Sequence, residues 1–595
     1  GGGVIDIAVG IVIVLFAAHR DARPFGALNR VWAGVAATAA GIALLAWASP
    51  FQPWVLASGV YRYEAVPEGD AYRYLFYRDG RTASVSVRQV KADTTSLYTI
   101  STNGKPDASV LPAWIAPYSD AAPKIMLDED MSTQMYLPIL TLVHAPGAKV
   151  GAVIGEGSGV TSHMLLASST LQALHTIEIE PEMIHGSRLF YPGNRRVFDD
   201  PRSKFEHEDA RAFLATNGPK FDFILSEPSN PWVSGVSSLF TVEFYERAKS
   251  RLAANGVFVQ WFHLYEIDDG TVASVIGTID RVFPSYRVYL SSNTDIVIVA
   301  GVSPTLRRPD WSLLQKPPLS EDLRRFPLLT EATFDAAEVG GRDALHGYVA
   351  SAPVNSDYRP LLDLNGERLR FRKDYATGFE DLGETRLDIP AALENRPRGF
   401  DMRAENPTPQ IRRSVALLEG RQLRGGLAGL IPVSALPDSL HSRLIQLKSF
   451  QMWSSGSTAL LEWPSWMASF LGAEGQIHGG TAGVADGTFY GMVKRFVAVA
   501  KAPPHVVATV NFYHGLAAWD FAEAAAAADV LLARRGAGVS WIPPATFRQG
   551  AALAKLKLGD AVGAREVYER LKPDSLTVAD RVLIGAIDER LASHR

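Results

Sequence analysis

One short run constrains this chain more than any other. Val153-Ile154-Gly155-Glu156-Gly157-Ser158-Gly159 places three glycines at alternate positions, directly after an apolar strand-like run and directly before a helical pattern. Glycines in such a turn permit left-handed backbone and let the main chain come close to a ligand at the carboxyl end of a strand. The surrounding sequence keeps the same rhythm. Val150–Ile154, Thr176–Ile179, Phe221–Leu225 and Val257–Trp261 read as strands, with Asp295–Ala300 as a late one, while Gly159–Ser168, Glu182–Tyr191 and Thr241–Ala254 read as helices. Alternating strands and helices build a parallel sheet covered on both faces, so an α/β Rossmann domain is expected over 116–366.

At roughly 100–200 residues per domain, a chain of 595 residues holds several units. Over 58–115 apolar and polar residues alternate, as from Tyr72 to Tyr77 and from Ser84 to Arg88, with Asp79-Gly80 and Asn103-Gly104 as hairpin turns. That pattern predicts a small antiparallel β domain of about four to six strands. Residues 367–438 are Arg-rich and Pro-punctuated and read as a linker. Residues 439–595 read as an α-helical domain, in which Ala551–Leu558, Gly559-Asp560 and Ala564–Leu571 are similar to one tetratricopeptide-like (TPR-like) unit.

The first 57 residues differ from the rest. Val4–Ala18 and Val31–Ala48 are nearly uncharged apolar stretches around the polar loop 19–30, and Trp47, Phe51 and Trp54 fall where an interfacial aromatic belt would lie. They are expected to form a transmembrane helical hairpin, the last two of several spans in a longer protein, which makes the lipid bilayer a partner. Arg20, Arg23 and Arg30 make the loop basic and favour placing it in the cytoplasm. The nucleoside chemistry argued below instead places the large C-terminal part there.

Composition removes several functions. There is no cysteine, hence no disulfide, thiolate metal site or Cys nucleophile, and a net charge of −4 argues against a globally basic nucleic-acid binder. His144, His163, His175, His185, His207 and His263 show no metal-ligand spacing and read as structural or surface residues, so no metal is expected.

The chemistry is expected at the carboxyl ends of the strands. Gly155, Gly157, Ser158 and Gly159 form the nucleotide-facing turn. Glu178 ends the next strand, where an acid accepts hydrogen bonds from both ribose hydroxyls, and Asp209 follows the third strand, where it can hold an adenine amino group. Val160 occupies the last glycine position of a dinucleotide fingerprint, which favours an S-adenosyl compound over a dinucleotide. The fourth strand delivers Glu227-Pro228-Ser229-Asn230-Pro231, with Glu227 and Asn230 expected to face the ligand and the prolines fixing the loop.

Together these motifs resemble the spermidine synthase-like aminopropyltransferases, particularly their bacterial membrane-fused branch. The resemblance runs from about Tyr98 to Asp363. It includes Asn103-Gly104-Lys105 with Asp107, Leu127-Asp128-Glu129 leading to Gln134, the glycine turn, Ile177-Glu178-Ile179-Glu180, Asp209-Ala210-Arg211, the Glu227 loop, Ser238–Tyr245, Leu252–Val259 and Asn355–Leu361. It implies an enzyme that transfers an aminopropyl group from decarboxylated S-adenosylmethionine to a diamine such as putrescine. It assigns Glu227 to the catalytic position and Gln134 and Asn230 to substrate binding. Asn230 stands where the family usually has a second Asp, and Ser158 replaces the usual acid of the glycine turn. Both changes remove negative charge beside cationic substrates.

The expected function is therefore a transferase anchored in a bacterial inner membrane, with its soluble part cytoplasmic. Decarboxylated S-adenosylmethionine or S-adenosylmethionine serves as co-substrate and a small amine as acceptor. The C-terminal helices are left for self-association or a protein partner. The alternatives are an S-adenosylmethionine-dependent methyltransferase acting on a small amine, and a non-catalytic nucleoside-sensing domain of a membrane protein.

Overall fold

In the computed structural model the described residues are 53–64, 72–91, 96–117, 125, 127–233, 235–327, 329–384, 387–397, 412–456, 462–478, 486–533 and 541–593, with residues 10, 32, 34–36, 38, 39, 41 and 42. The two apolar stretches of the expected membrane hairpin thus lie almost wholly outside the described residues. Among the described residues no helix is long and apolar enough to cross a membrane.

Strands β1 (Tyr72–Asp79), β2 (Ser84–Lys91), β3 (Ser96–Thr102) and β4 (Lys105–Val110) form an antiparallel sheet in the order β1-β2-β3-β4. The β3–β4 turn is Asn103-Gly104, with φ of 50° and 78°, the left-handed pair that a tight hairpin of matching twist needs.

The second sheet holds β5 (Val150–Ile154), β6 (Ala173–Ile177), β7 (Ser203–Glu206), β8 (Phe221–Ser226), β9 (Leu252–His263), β10 (Ser285–Leu290), β11 (Asp295–Gly301) and β12 (Glu338–Gly341). Their order is β12-β10-β11-β9-β8-β5-β6-β7. The five strands from β7 to β9 run parallel, and β11, β10 and β12 add antiparallel pairings at one side, so the Rossmann-like sheet is mixed. A hairpin explains the departure from the all-parallel expectation, because β10 and β11 are joined by a short turn and consecutive strands so joined must pair antiparallel. Central strands such as β11, buried at every position, show no alternation in sequence because both faces are covered.

Helices cover both faces. Glu129–His144 and Val160–Leu165 lie in one apolar core, shared with the antiparallel sheet, while Val242–Arg251 and Asp269–Val282 lie in the other. Residues 367–438 contain the helices Thr377–Glu384, Ile389–Leu393 and Arg412–Leu427 rather than irregular chain alone. Beyond these, in the C-terminal region, the described residues form further helices, from Asp438–Trp453 to Val578–Ser593. Trp466, fully buried, stacks on Phe470 and Phe496 at ring-centroid distances of 5.7 and 5.3 Å. Pro544–Lys557 and Ala561–Arg570 pair across a turn in which Gly559 has φ of 84°.

Two contacts hold this region together. The last helix, Val578–Ser593, packs on Arg342–Val349 beside the mixed sheet. Gly347 and Gly585 meet so closely there that a Cβ on either would stand 2.4–2.5 Å from the other's backbone. Within the helical region the Arg548 guanidinium donates to Asp580 at 3.2 and 2.8 Å, with Asp580 fully buried and also accepting from Gln549, Tyr568 and Thr577.

Candidate active site

A cavity of about 910 Å³ opens where the carboxyl ends of the parallel strands face the antiparallel sheet. It is lined by Gln134, Gly155, Gly157, Ser158, Glu178, Asp209 and Glu227, so most of the residues expected from sequence come together on one wall. β5 pairs with β6 on one side and β8 on the other. The three strand ends therefore place the glycine turn between Glu178 and Glu227.

The turn needs its glycines. Gly155, Gly157 and Gly159 have φ of 95°, 53° and 77°. A Cβ on Gly155 would stand 2.4 Å from the Glu227 carbonyl oxygen, while one on Gly157 meets only Ala108 Cβ at 3.8 Å. Gly155 thus lets two functional loops touch, and Gly157 leaves room above the turn. Gly155→Ala is expected to combine a left-handed alanine with that clash. A loss of about 1–3 kcal/mol in urea unfolding would show both effects.

Glu178 is buried and already accepts from the Glu156 N–H at 3.0 Å and the Glu180 N–H at 2.8 Å. These bonds fix its two oxygens at the end of β6 and leave further lone pairs toward the cavity. Loss of water raises its carboxyl to about 7 against the two stabilising amide bonds, and Asp107 adds to the rise. Asp209 is exposed on the rim and caps the helix Ala210–Ala215, its Oδ1 accepting from Arg211 and Ala212 N–H at 2.6 and 3.3 Å.

Ser158 donates through its hydroxyl to Gln134 Oε1. Gln134 in turn donates to the carbonyls of Ser109 and Asp130 at 2.9 and 3.1 Å, which ties the glycine turn, the helix Glu129–His144 and β4 into one wall. Glu227 lines the cavity and is pushed up to about 8, first by loss of water and then by Asp295 and Asp130. Asp295 itself is raised to about 7 by the same burial while it accepts from Trp261 Nε1 at 3.1 Å and Thr133 at 3.0 Å.

Asn230 differs from expectation. It is fully buried off the cavity wall, and its amide donates to the Tyr265 hydroxyl at 3.1 Å. Tyr265 lines the cavity in its place. Two further groups carry weight that sequence reasoning did not give them. Glu180, which reads in sequence as an ordinary exposed acid, is 3% exposed. Its Oε2 accepts from Thr82 N, Thr82 Oγ1 and Ala83 N at 2.6, 2.9 and 3.1 Å, latching the β1–β2 turn to the end of β6. Lys105 and Asp107 of β4 line the cavity as an ion pair at 3.0 Å. Among the described residues no group of three His, Asp or Glu is placed to hold a metal ion.

The arrangement places the glycine turn beside the carboxyl groups of Glu178, Glu227, Asp130 and Asp295. Residues 133–296 match the spermine/spermidine synthase domain family. This spermidine synthase-like region is similar to the polyamine aminopropyltransferase of Caldicellulosiruptor saccharolyticus, 29% identical over 155 residues, which cover 26% of this chain and 54% of the relative. It is also similar to the polyamine aminopropyltransferase of Thermotoga maritima, 28% identical over 167 residues, covering 28% of this chain and 56% of the relative. The chain thus spans about half the length of the curated relatives it matches. Among solved structures, the spermidine synthase from Thermotoga maritima aligns with 19% identity and a TM-score of 0.33, over 41% of this chain and 78% of that one. The matched segment begins at Thr133 and so includes Gln134, the glycine turn, Glu178, Asp209 and Glu227, but leaves β4 outside.

Proposed function

We propose that this protein is an aminopropyltransferase-like enzyme that alkylates a small amine from an S-adenosyl sulfonium held at the glycine turn. The spermidine synthase family, to which residues 133–296 are similar, uses decarboxylated S-adenosylmethionine. The observation that carries the reading is the common wall of Glu178, the glycine turn and Glu227, with a ribose-type acceptor on one side and a carboxylate for the amine on the other. The residues fit such a co-substrate: Gly157 leaves open space over the turn, and the rim acid Asp209 keeps Oδ2 out of its capping bonds.

In the reaction the amine nitrogen bonds to the methylene next to the sulfonium. The carbon–sulfur bond breaks with its electron pair remaining on sulfur, and methylthioadenosine departs without needing a proton. The enzyme's work is alignment and removal of one amine proton. Glu227 takes that proton, and its raised carboxyl gives it a proton affinity suited to the task near neutral pH. Tyr265 lines the acceptor side of the cavity, its hydroxyl held from behind by the Asn230 amide.

The test is calorimetric titration with 5′-methylthioadenosine, a neutral ligand. Glu178→Ala is expected to weaken it by about 1–3 kcal/mol, because a buried acceptor is lost. Binding should also depend on pH with a definite sign. Glu178 is protonated below about 7 and receives the ribose hydroxyls best when ionised, so affinity rises with pH up to about 8 and then levels off. Absence of binding at every pH would overturn the proposal.

A further inference from the structure

The wall contributed by β4 carries a cation that an amine-alkylating site for purely cationic substrates has no use for. Lys105 Nζ is 3.0 Å from Asp107 Oδ1 and 3.1 Å from Ser229 Oγ, two residues beyond Glu227. The Lys105 and Asp107 side chains are only 3% and 10% exposed. Ser229 Oγ also donates to Asp107 Oδ1 at 2.7 Å, so both neighbours converge on a single carboxylate oxygen. The other, Oδ2, is buried and has no hydrogen-bond partner among the described residues.

A buried ion pair repays its desolvation only when its remaining hydrogen-bonding capacity is satisfied, and an orphaned carboxylate oxygen is costly. The pair therefore has the form of a half-filled receptor, an acceptor and an ammonium side by side on a cavity wall. Asp107 is close enough to Glu178 and Asp130 for its charge to be felt by both, which puts the pair between the ribose acid and the acceptor side. The ligand complementary to such a pair carries an ammonium and a carboxylate together.

We propose that Lys105 and Asp107 receive the α-carboxylate and α-ammonium of an amino-acid tail, so that the co-substrate is S-adenosylmethionine with its carboxylate retained. This rests on the nucleoside reading above and names the donor within it. Two other observations agree. Ser158 gives the turn no charge with which to select a bare ammonium, and it is bonded instead to Gln134. Decarboxylated S-adenosylmethionine brings two positive charges and no negative one, and would set its ammonium against Lys105. The retained carboxylate removes that repulsion and adds a charge-assisted bond.

The full chain is titrated calorimetrically with S-adenosylmethionine, decarboxylated S-adenosylmethionine and 5′-methylthioadenosine. Wild type is expected to bind the carboxylated form roughly ten- to a hundredfold tighter than the decarboxylated one, the range of one charge-assisted contact. Lys105→Met should erase or invert that ratio while the affinity for methylthioadenosine, which has no tail, stays within about twofold. Asp107→Asn should weaken both tailed ligands and spare methylthioadenosine, since both tails carry the ammonium. If methylthioadenosine binds but the two tailed ligands are equal in wild type, or Lys105→Met leaves their ratio unchanged, this inference is overturned and the nucleoside reading stands. If no nucleoside binds, both fall together. Retained methylthioadenosine binding in each variant also excludes misfolding as the cause.

Discussion

Glu227→Gln is expected to lose roughly 10²–10⁴-fold in turnover while keeping its fold and its affinity for methylthioadenosine, the range for a positioned acid–base group. The amide is nearly isosteric with the carboxyl but cannot accept the amine's proton. The surroundings make the two effects separable. The Glu227 backbone N–H donates to the Ile154 carbonyl at 3.0 Å whatever the side chain, so the loop keeps its place at the end of β8. An amide also removes a carboxyl that burial pushes up to about 8, with the nearby charges of Asp295 and Asp130 adding to the rise. The variant should therefore be no less stable than wild type. Turnover is measured as methylthioadenosine release with an amine acceptor, and wild-type-like rates in the variant would remove Glu227 from the chemistry.

Asp580→Ala should give the largest loss of stability, about 3–5 kcal/mol, because it strands the Arg548 guanidinium in the interior. It also removes the acceptor shared by Gln549, Tyr568 and Thr577. Replacing both partners at once by Met at 548 and Leu at 580 should recover much of that loss, since a buried ion pair is often worth no more than apolar residues of similar volume. Urea unfolding followed by tryptophan fluorescence checks this, because Trp463, Trp466, Trp519 and Trp541 all lie in the helical region. A single variant that unfolds at the wild-type midpoint would show the network to be incidental.

The parts of this protein legible in sequence are those in which the signal is local. The glycine turn, the strand before it and the acid at the end of the next strand are each set by a few consecutive residues, and β5 runs over Val150–Ile154 as the apolar run predicts. The Asn103-Gly104 hairpin is legible for the same reason, since left-handed φ at two successive positions admits few residue types. β12 is not: Glu338-Val339-Gly340-Gly341 has neither the length nor the composition of a strand and becomes one only by pairing with β10. Asn230 marks another limit. Its place in the loop after β8 is legible, but the direction of its amide is decided by Tyr265, thirty-five positions on. Lys105 and Glu180 become informative only through partners far along the chain, Ser229 in one case and Thr82 in the other. Charge alone in a sequence cannot distinguish such residues from solvated ones.

The meeting of Gly347 with Gly585 bears on how the protein is made. The helix Arg342–Val349 belongs to the mixed-sheet region but also packs against Val578–Ser593, far later in the sequence. At synthesis rates of about 5–20 residues per second, the ribosome needs on the order of tens of seconds to produce the intervening chain. Throughout that interval the nascent sheet region carries an uncovered notch shaped for glycine. The cavity residues, all earlier in sequence than Ala376, can be assembled before it is filled. A chain cut short before Val578 would then carry the assembled cavity wall and an open seam, a species for chaperones and proteases to recognise.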